Sequence, residues 1–148
     1  MTRTLALDFG DKRIGVAMSD PTGLLASPLT TITRGNLRND LDKIVGMVTE
    51  NEVATVVVGF PISLNGTIGP QGQKTLDFCD VLRERCPVPI EMWNEQFTSA
   101  EAERRIREAG GKPSEDRGRI DAVAAAIILQ EWMDVSRPDK PPEEPTSA

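Results

Sequence analysis

The first 33 residues contain three short apolar-rich runs, separated by turns that are too short to hold a helix. The runs are Thr4 to Phe9, Ile14 to Ser19 and Leu24 to Ile32, and the turns carry Gly10-Asp11-Lys12 and Asp20-Pro21-Thr22-Gly23. Two consecutive parallel strands need a crossover of roughly a dozen or more residues. These runs are therefore predicted to form an antiparallel meander.

Beyond the meander the apolar residues change to helical spacing, and Asn36 or Asn39 can cap the predicted helix. Val53 to Gly59 is a β-branched run typical of a strand buried on both faces of a parallel sheet. The remaining predicted elements are a loop over Phe60 to Gln73, a helix over Thr75 to Arg85, a strand over Val88 to Trp93, and helices over Thr98 to Ala109 and Ile120 to Met133. This order predicts an α/β fold with one mixed five-stranded sheet, in which three antiparallel strands precede two parallel crossovers and helices cover both faces.

The length of 148 residues predicts one domain, over residues 1–134, and a tail over residues 135–148. Prolines and charges dominate that tail, which is expected to be disordered. No apolar run approaches the roughly 18 residues that would cross a membrane, and the N-terminal residues do not resemble a signal peptide. A cytoplasmic location and no membrane partner are therefore expected.

The chain contains no histidine and carries a net charge of -6. The missing imidazole excludes Ser-His and Cys-His catalysis and the two-histidine zinc helix. Catalysis would have to use carboxylates, lysine, hydroxyls or a metal ion. The negative charge disfavours nucleic-acid binding in general, so such a function would need a locally basic surface.

Asp8 lies in the first apolar run, where strand alternation separates a bulky face from a small one. The bulky face has Leu5, Leu7 and Phe9, and the small face has Ala6, Asp8 and Gly10. Burying a carboxylate is costly unless a cation or hydrogen bonds meet it, and the small neighbours leave room for an ion. The alternative is an aspartate that is hydrogen-bonded to the backbone of the turn.

Two further carboxylates can join Asp8. Asp121 opens the last predicted helix on its apolar face and is expected to point inward, although it could instead be an ordinary helix-start residue. Glu95 follows the last predicted strand and would alone be read as solvated. Hard divalent cations prefer oxygen ligands, and two-metal phosphodiester cleavage needs converging carboxylates. Together the three residues predict a catalytic site that binds Mg²⁺ or Mn²⁺.

Four segments of the sequence resemble, in order, the motifs of the YqgF/RuvX family, relatives of the RuvC Holliday-junction resolvases. They are LALDFGDKRIGVAMSD, VVVGFPISLNGT, WNEQFTS and RGRIDAVAAAIIL, and the resemblance covers nearly the whole chain except the tail. It implies an RNase H-like fold and a metal site formed by Asp8, Glu95 and Asp121. It also implies activity as a nuclease that matures the 5′ end of pre-16S ribosomal RNA, or as a Holliday-junction resolvase in DNA recombination. Where the family usually has Asp-Glu-Arg, this chain has Asn94-Glu95-Gln96.

A locally basic stretch precedes Asp121, and two further basic residues follow Asp8. The predicted nucleic-acid-binding residues are Lys12, Arg13, Arg104, Arg105, Lys112, Arg117 and Arg119. They could hold a phosphate backbone beside the metal ions. An ordinary solvated helix face is the alternative.

Two functions from other classes remain open. Asp8-Phe9-Gly10 also resembles the phosphate-binding turn of actin-like and sugar-kinase ATPases, but those enzymes clamp nucleotide between two such domains. The protein could also bind nucleic acid without cutting it. The expected partner is structured RNA, with branched DNA as the alternative. A monomer or weak dimer is expected, because no clear exposed apolar surface indicates a stable dimer.

Overall fold

The computed structural model describes residues 3–61, 68–95, 104–110 and 117–136. The strands are β1 (Arg3–Phe9), β2 (Arg13–Ser19), β3 (Ala26–Thr33), β4 (Val53–Pro61) and β5 (Ile90–Glu95). The helices are α1 (Leu37–Glu50), α2 (Pro70–Arg85), α3, which is described only over residues 104–108, and α4 (Arg117–Ser136). The first residues of the helix predicted over Thr98 to Ala109 lie outside the described residues. No helix within these residues is long and apolar enough to cross a membrane.

The five strands form one mixed sheet in the order β3-β2-β1-β4-β5. β1 pairs with β2, and β2 with β3, in antiparallel register, whereas β1 pairs with β4, and β4 with β5, in parallel register. The predicted fold class is confirmed. β1 is the central strand, so residues near its carboxyl end have a strand on either side.

The bulky and small faces of the sheet pack against different helices. On the bulky face, α1 and α2 cover Leu5, Leu7, Phe9, Ile14 and Val16. On the small face, α4 covers Ala6, Ala17 and Val57 with Ala125, Ala126, Ile128, Leu129 and Met133. Small residues on both sides of this second interface allow the helix to approach the sheet closely.

Gln130 connects α4 by hydrogen bonds to the turn between β2 and β3. Its side-chain amide accepts a hydrogen bond from the backbone N–H of Ala26 at 3.0 Å and donates one to the carbonyl of Leu24 at 3.1 Å. The helix is thus tied to the sheet through both its apolar face and a polar side chain.

Several strand and helix boundaries differ from the prediction. β5 begins at Ile90 and ends at Glu95, whereas the predicted strand runs from Val88 to Trp93. β3 begins at Ala26 rather than at Leu24, because the Asp20 carboxylate accepts hydrogen bonds from the backbone N–H groups of Leu24 and Leu25 and keeps them in the turn. The predicted loop over Phe60 to Gln73 is wrong at both ends: its first two residues are the last two of β4, and its last residues form the first turn of α2. Pro70 is compatible with that position, since the first residue of a helix needs no N–H donor.

The helix termini settle two further points. Asn36, rather than Asn39, caps α1: its side-chain oxygen accepts from the backbone N–H of Arg38 at 2.8 Å. α4 begins at Arg117 and continues through Ser136, whereas the sequence pattern predicts a helix from Ile120 to Met133. Residues 137–148 of the predicted tail lie outside the described residues.

Candidate active site

Asp8 lies near the carboxyl end of the central strand, on the face that α4 covers. Its register partners are Gly15 on β2 and Gly59 on β4, so neither neighbouring strand places a side chain beside its carboxylate. Burial, and then the negative charge of Asp121, raise the pKa of Asp8 to about 7. Among the described residues, no hydrogen bond or ion pair reaches this carboxylate. The geometry therefore favours an ion-binding aspartate over one bonded to the turn backbone.

Asp121 lies in the second turn of α4, because the helix begins at Arg117. The alternative of a helix-start residue required a helix that opens at Asp121, and this structure does not have one. α4 passes so close to β2 that a Cβ added to Gly15 would lie 1.9 Å from the backbone carbonyl oxygen of Asp121. Gly15, which is paired with Asp8 in the sheet, therefore allows α4 to contact β2 at this point. The contact places Asp121 near Asp8.

Arg13 contacts Asp121 directly. Its Nε donates a hydrogen bond to Oδ2 of Asp121 at 2.7 Å, and the two side chains are 30% and 23% exposed. Arg13 was predicted to contact nucleic acid, and its ion pair with Asp121 was not predicted. Strand alternation was the available signal, since Arg13 and Gly15 share the face of β2 that α4 covers.

The turn that connects Asp8 to Arg13 is held rigidly from the other face. Nη1 of Arg34 donates to the carbonyls of Gly10 and Asp11, both at 3.1 Å, and its guanidinium lies 4.4 Å from the centre of the Phe9 ring. The Phe9 ring stacks on Phe78 with centroids 4.3 Å apart. Such fixed supports are what a precisely placed catalytic group requires.

Asp11 and Lys12 lie at the tip of the same turn. The Asp11 side chain is 60% exposed and forms an ion pair with Nζ of Lys74 at 3.2 Å. This contact supports a solvated turn aspartate rather than a metal ligand. Lys12 is exposed and next in sequence to Arg13, where a phosphate could reach it.

Glu95, the third predicted ligand, is the last residue of β5 and pairs with Pro61 in the sheet register. Its side chain lies outside the described part of the structure. Within that part, no group of three acidic, histidine or cysteine side chains comes together. The structure therefore brings Asp8 and Asp121 together and leaves Glu95 as a prediction.

The structure describes the side chains of only some of the predicted basic residues. Arg119 is exposed and lies two residues before Asp121 on α4. Arg104 and Arg105 are exposed on α3, where Arg104 pairs with Glu108 at 2.7 Å. Lys112 and the side chain of Arg117 lie outside the described residues. Among the predicted cations whose side chains the structure describes, Lys12, Arg13 and Arg119 are the three closest in sequence to the two aspartates.

Residues 2–135 match the family model described as "RuvX: Holliday junction resolvase". The chain belongs to the RuvX family. Two relatives carry the name "Putative pre-16S rRNA nuclease". The protein from Roseiflexus sp. (strain RS-1) is 45% identical over 135 residues, which cover 91% of this chain and 96% of the relative. The protein from Clostridium botulinum (strain Hall) is 43% identical over 132 residues, which cover 89% and 96%.

Solved structures with little sequence similarity share the fold of this RuvX chain. RuvC of T. thermophilus in complex with a Holliday junction substrate aligns with a TM-score of 0.58 and 14% identity, covering 91% of this chain and 95% of RuvC. The Fowlpox virus resolvase, solved with Holliday junction DNA, aligns with a TM-score of 0.55 and 12% identity, covering 90% and 98%. The RuvX chain therefore has the RuvC-like, RNase H-like fold that the motifs imply.

Proposed function

We propose that this RuvX chain is a nuclease that hydrolyses phosphodiester bonds with Mg²⁺ or Mn²⁺ bound by Asp8, Asp121 and Glu95. The observation that carries the proposal is the pair of aspartates on the α4 face of the sheet. Asp8 and Asp121 come from elements that are distant in sequence, and a glycine is required for their approach. A stable fold gains nothing from two negative charges placed together, so the arrangement indicates a site for a cation.

The donor set fits a hard divalent ion. Carboxylate oxygens are the ligands that Mg²⁺ and Mn²⁺ prefer, and the chain has no imidazole that would favour zinc. The raised pKa of Asp8 has the sign expected for a carboxylate that lacks its cation. β5, which ends at Glu95, lies two strands from β1, or roughly 10 Å, so the long side chain of a glutamate suits the third ligand position.

In the proposed reaction, bound ions supply the activation of the attacking water and the stabilisation of the leaving oxygen. The aspartates orient those ions from rigid secondary structure, with Asp8 on the central strand and Asp121 on α4. Arg119 and Lys12 hold the phosphates on either side of the cleaved bond. The substrate's backbone thereby meets positive charge near the site, although the whole chain is acidic.

We assign structured RNA as the substrate, and specifically the 5′ flank of pre-16S ribosomal RNA. Support comes from the names of relatives that match this chain over nearly their whole length at 43–45% identity. A second candidate, resolution of Holliday junctions, is supported by the description of the family model. Resolution requires two coordinated active sites, and hence a symmetric dimer.

The test compares two substrates of equal length: an RNA that carries the 5′ flank of 16S ribosomal RNA, and a four-way DNA junction. We expect Mn²⁺ or Mg²⁺ to support cleavage of the RNA and EDTA to abolish it. Cleavage of the junction alone would favour the second candidate. RNA binding without cleavage of either substrate would leave a non-catalytic binding protein, and cleavage undiminished by EDTA would contradict the metal site.

A further inference from the structure

A positively charged side chain of the protein, that of Arg13, already lies beside the pair formed by Asp8 and Asp121. Nε of Arg13 donates to Oδ2 of Asp121 at 2.7 Å, whereas no cation of the described residues pairs with Asp8. Arg13 lies on β2 two residues before Gly15, where the backbone of Asp121 touches the strand. The arginine is therefore placed to fix both the charge and the position of this carboxylate.

We propose that Arg13 is a positioning residue that substitutes for the divalent ion at Asp121 and competes with it. This inference rests on the proposed metal-dependent function. In the metal-free protein, Arg13 offsets the negative charge of Asp121 and holds its carboxylate on the site. When a divalent ion binds, the ion and Nε compete for the same oxygen, and the guanidinium is released from Oδ2.

The released guanidinium has a second partner available in the substrate. An arginine carries five N–H donors, and the contact with Asp121 is made by Nε, so it does not require the two terminal amino groups. Guanidinium groups bind phosphate oxygens well. Arg13 thus links metal binding to phosphate binding, because release from Asp121 leaves the guanidinium free to turn its donors toward a phosphate.

The charge of Arg13 predicts in which direction its removal should change the affinity for metal, and a purely structural role predicts the other direction. A positive side chain beside a dication repels it, so removing the charge of Arg13 should tighten metal binding. If Arg13 only supported the fold of the site, its removal would disorder Asp121 and weaken metal binding. The two roles therefore predict opposite changes in the dissociation constant for Mn²⁺.

The first experiment titrates Mn²⁺ into the full chain by calorimetry, without substrate. We expect Arg13→Gln to lower the dissociation constant by about tenfold, and Arg13→Lys, which keeps the charge, to stay within about threefold of the parent. Lys12→Gln is the matched control, since it removes one positive charge from the adjacent exposed residue. Unchanged or weaker binding by Arg13→Gln, or equal tightening by Lys12→Gln, would overturn the proposal.

The second experiment uses no metal and tests the ion pair alone. We expect Arg13→Gln to lower the melting temperature in EDTA when Asp121 is present, and to have little effect in an Asp121→Asn background. Equal losses in the two backgrounds would show that Arg13 acts through other contacts, and would overturn the proposal. The Mn²⁺ titration separates the failure of this proposal from that of the proposed function. If the parent binds no Mn²⁺, the proposed metal site is wrong, and so is the proposed competition between Arg13 and the ion. If the parent binds Mn²⁺ and only the Arg13 results fail, the metal site stands.

Discussion

Among the single residues that the structure describes, Asp8 is the one whose ionised carboxylate destabilises the folded protein when no metal is bound. It lies on the central strand between Gly15 of β2 and Gly59 of β4, and both burial and the charge of Asp121 raise its pKa to about 7. An aspartate in the unfolded chain has a pKa near 4. Folding without metal therefore favours the protonated form, and ionising Asp8 in the folded protein costs free energy.

This difference predicts how stability depends on pH in metal-free protein. Between about pH 4 and pH 7 the unfolded chain has lost the Asp8 proton while the folded protein retains it, so the free energy of unfolding should fall as the pH rises. Asp8→Asn should remove this component and make the protein more stable than the parent above pH 7. Since one unit of pKa shift corresponds to about 1.4 kcal/mol, the gain is at most a few kcal/mol.

Urea unfolding in EDTA at pH 5 and at pH 8 measures both effects. Asp11→Asn is the control, because Asp11 lies in the same turn and is exposed. It should keep the pH profile of the parent. An Asp8→Asn protein that is less stable than the parent at pH 8 would show that Asp8 is a structural aspartate.

At the scale of secondary-structure elements, the site depends on how closely α4 approaches β2. The contact between Gly15 and the backbone of Asp121 leaves no space for a Cβ. The atoms in contact belong to the backbone, so no side-chain rotation can relieve a clash. The helix as a whole would have to move, and Asp121 would move with it.

We predict that Gly15→Ala destabilises the protein by about 1–3 kcal/mol and lowers cleavage at least tenfold, because overpacking and displaced catalytic groups have effects of this size. Gly46→Ala is the matched control: Gly46 lies within α1 and an added Cβ would meet nothing within 4 Å. It should raise stability by about 0.5–1 kcal/mol and leave cleavage unchanged. Thermal melts and initial cleavage rates test the pair. Equal behaviour of the two variants would contradict the close approach.

The elements also show what could be predicted from sequence. Alternation in β1 predicted that Asp8 lies on a small-residue face of the sheet, because side-chain direction in a strand follows from position alone. That α4 covers this face was not predicted and is seen only in the structure. The ion pair between Arg13 and Asp121 was not predicted, since it joins residues far apart in the chain through a helix whose approach distance no local pattern encodes. The start of α2 at Pro70 was also missed, because proline and glycine at a helix start have the composition of a loop.

At the scale of the whole molecule, the net charge of -6 conflicts with binding of nucleic acid unless positive charge is concentrated at the site. Arg119 is the predicted cation that the structure shows exposed on the helix carrying Asp121. α1, by contrast, covers the opposite face of the sheet. A phosphate backbone at the site would therefore meet α4 and not α1.

Reversing one positive charge on α4 and, separately, one on α1 tests whether RNA binding depends on the positive charge near the site. Arg119→Glu should weaken RNA binding and reduce the slope of log affinity against log salt by about 1, since each phosphate contact releases roughly one counterion. Lys43→Glu on α1 changes the net charge equally and should leave that slope unchanged. Fluorescence anisotropy at several salt concentrations gives both slopes. Equal effects of the two reversals would assign binding to overall charge rather than to the site.

The proposed function depends on Asp8 and Asp121, which would bind the metal ions with which this RuvX protein cuts nucleic acid. The most direct measurement is single-turnover cleavage of the 16S precursor RNA in Mn²⁺ by the parent, Asp8→Asn and Asp121→Asn, each shown by its melting curve to be folded. We predict that the parent cuts and that each variant loses at least a thousandfold in rate, because an amide cannot replace a charged metal ligand. Folded variants that still cut at the parental rate would contradict the claim and place the active site elsewhere in the chain.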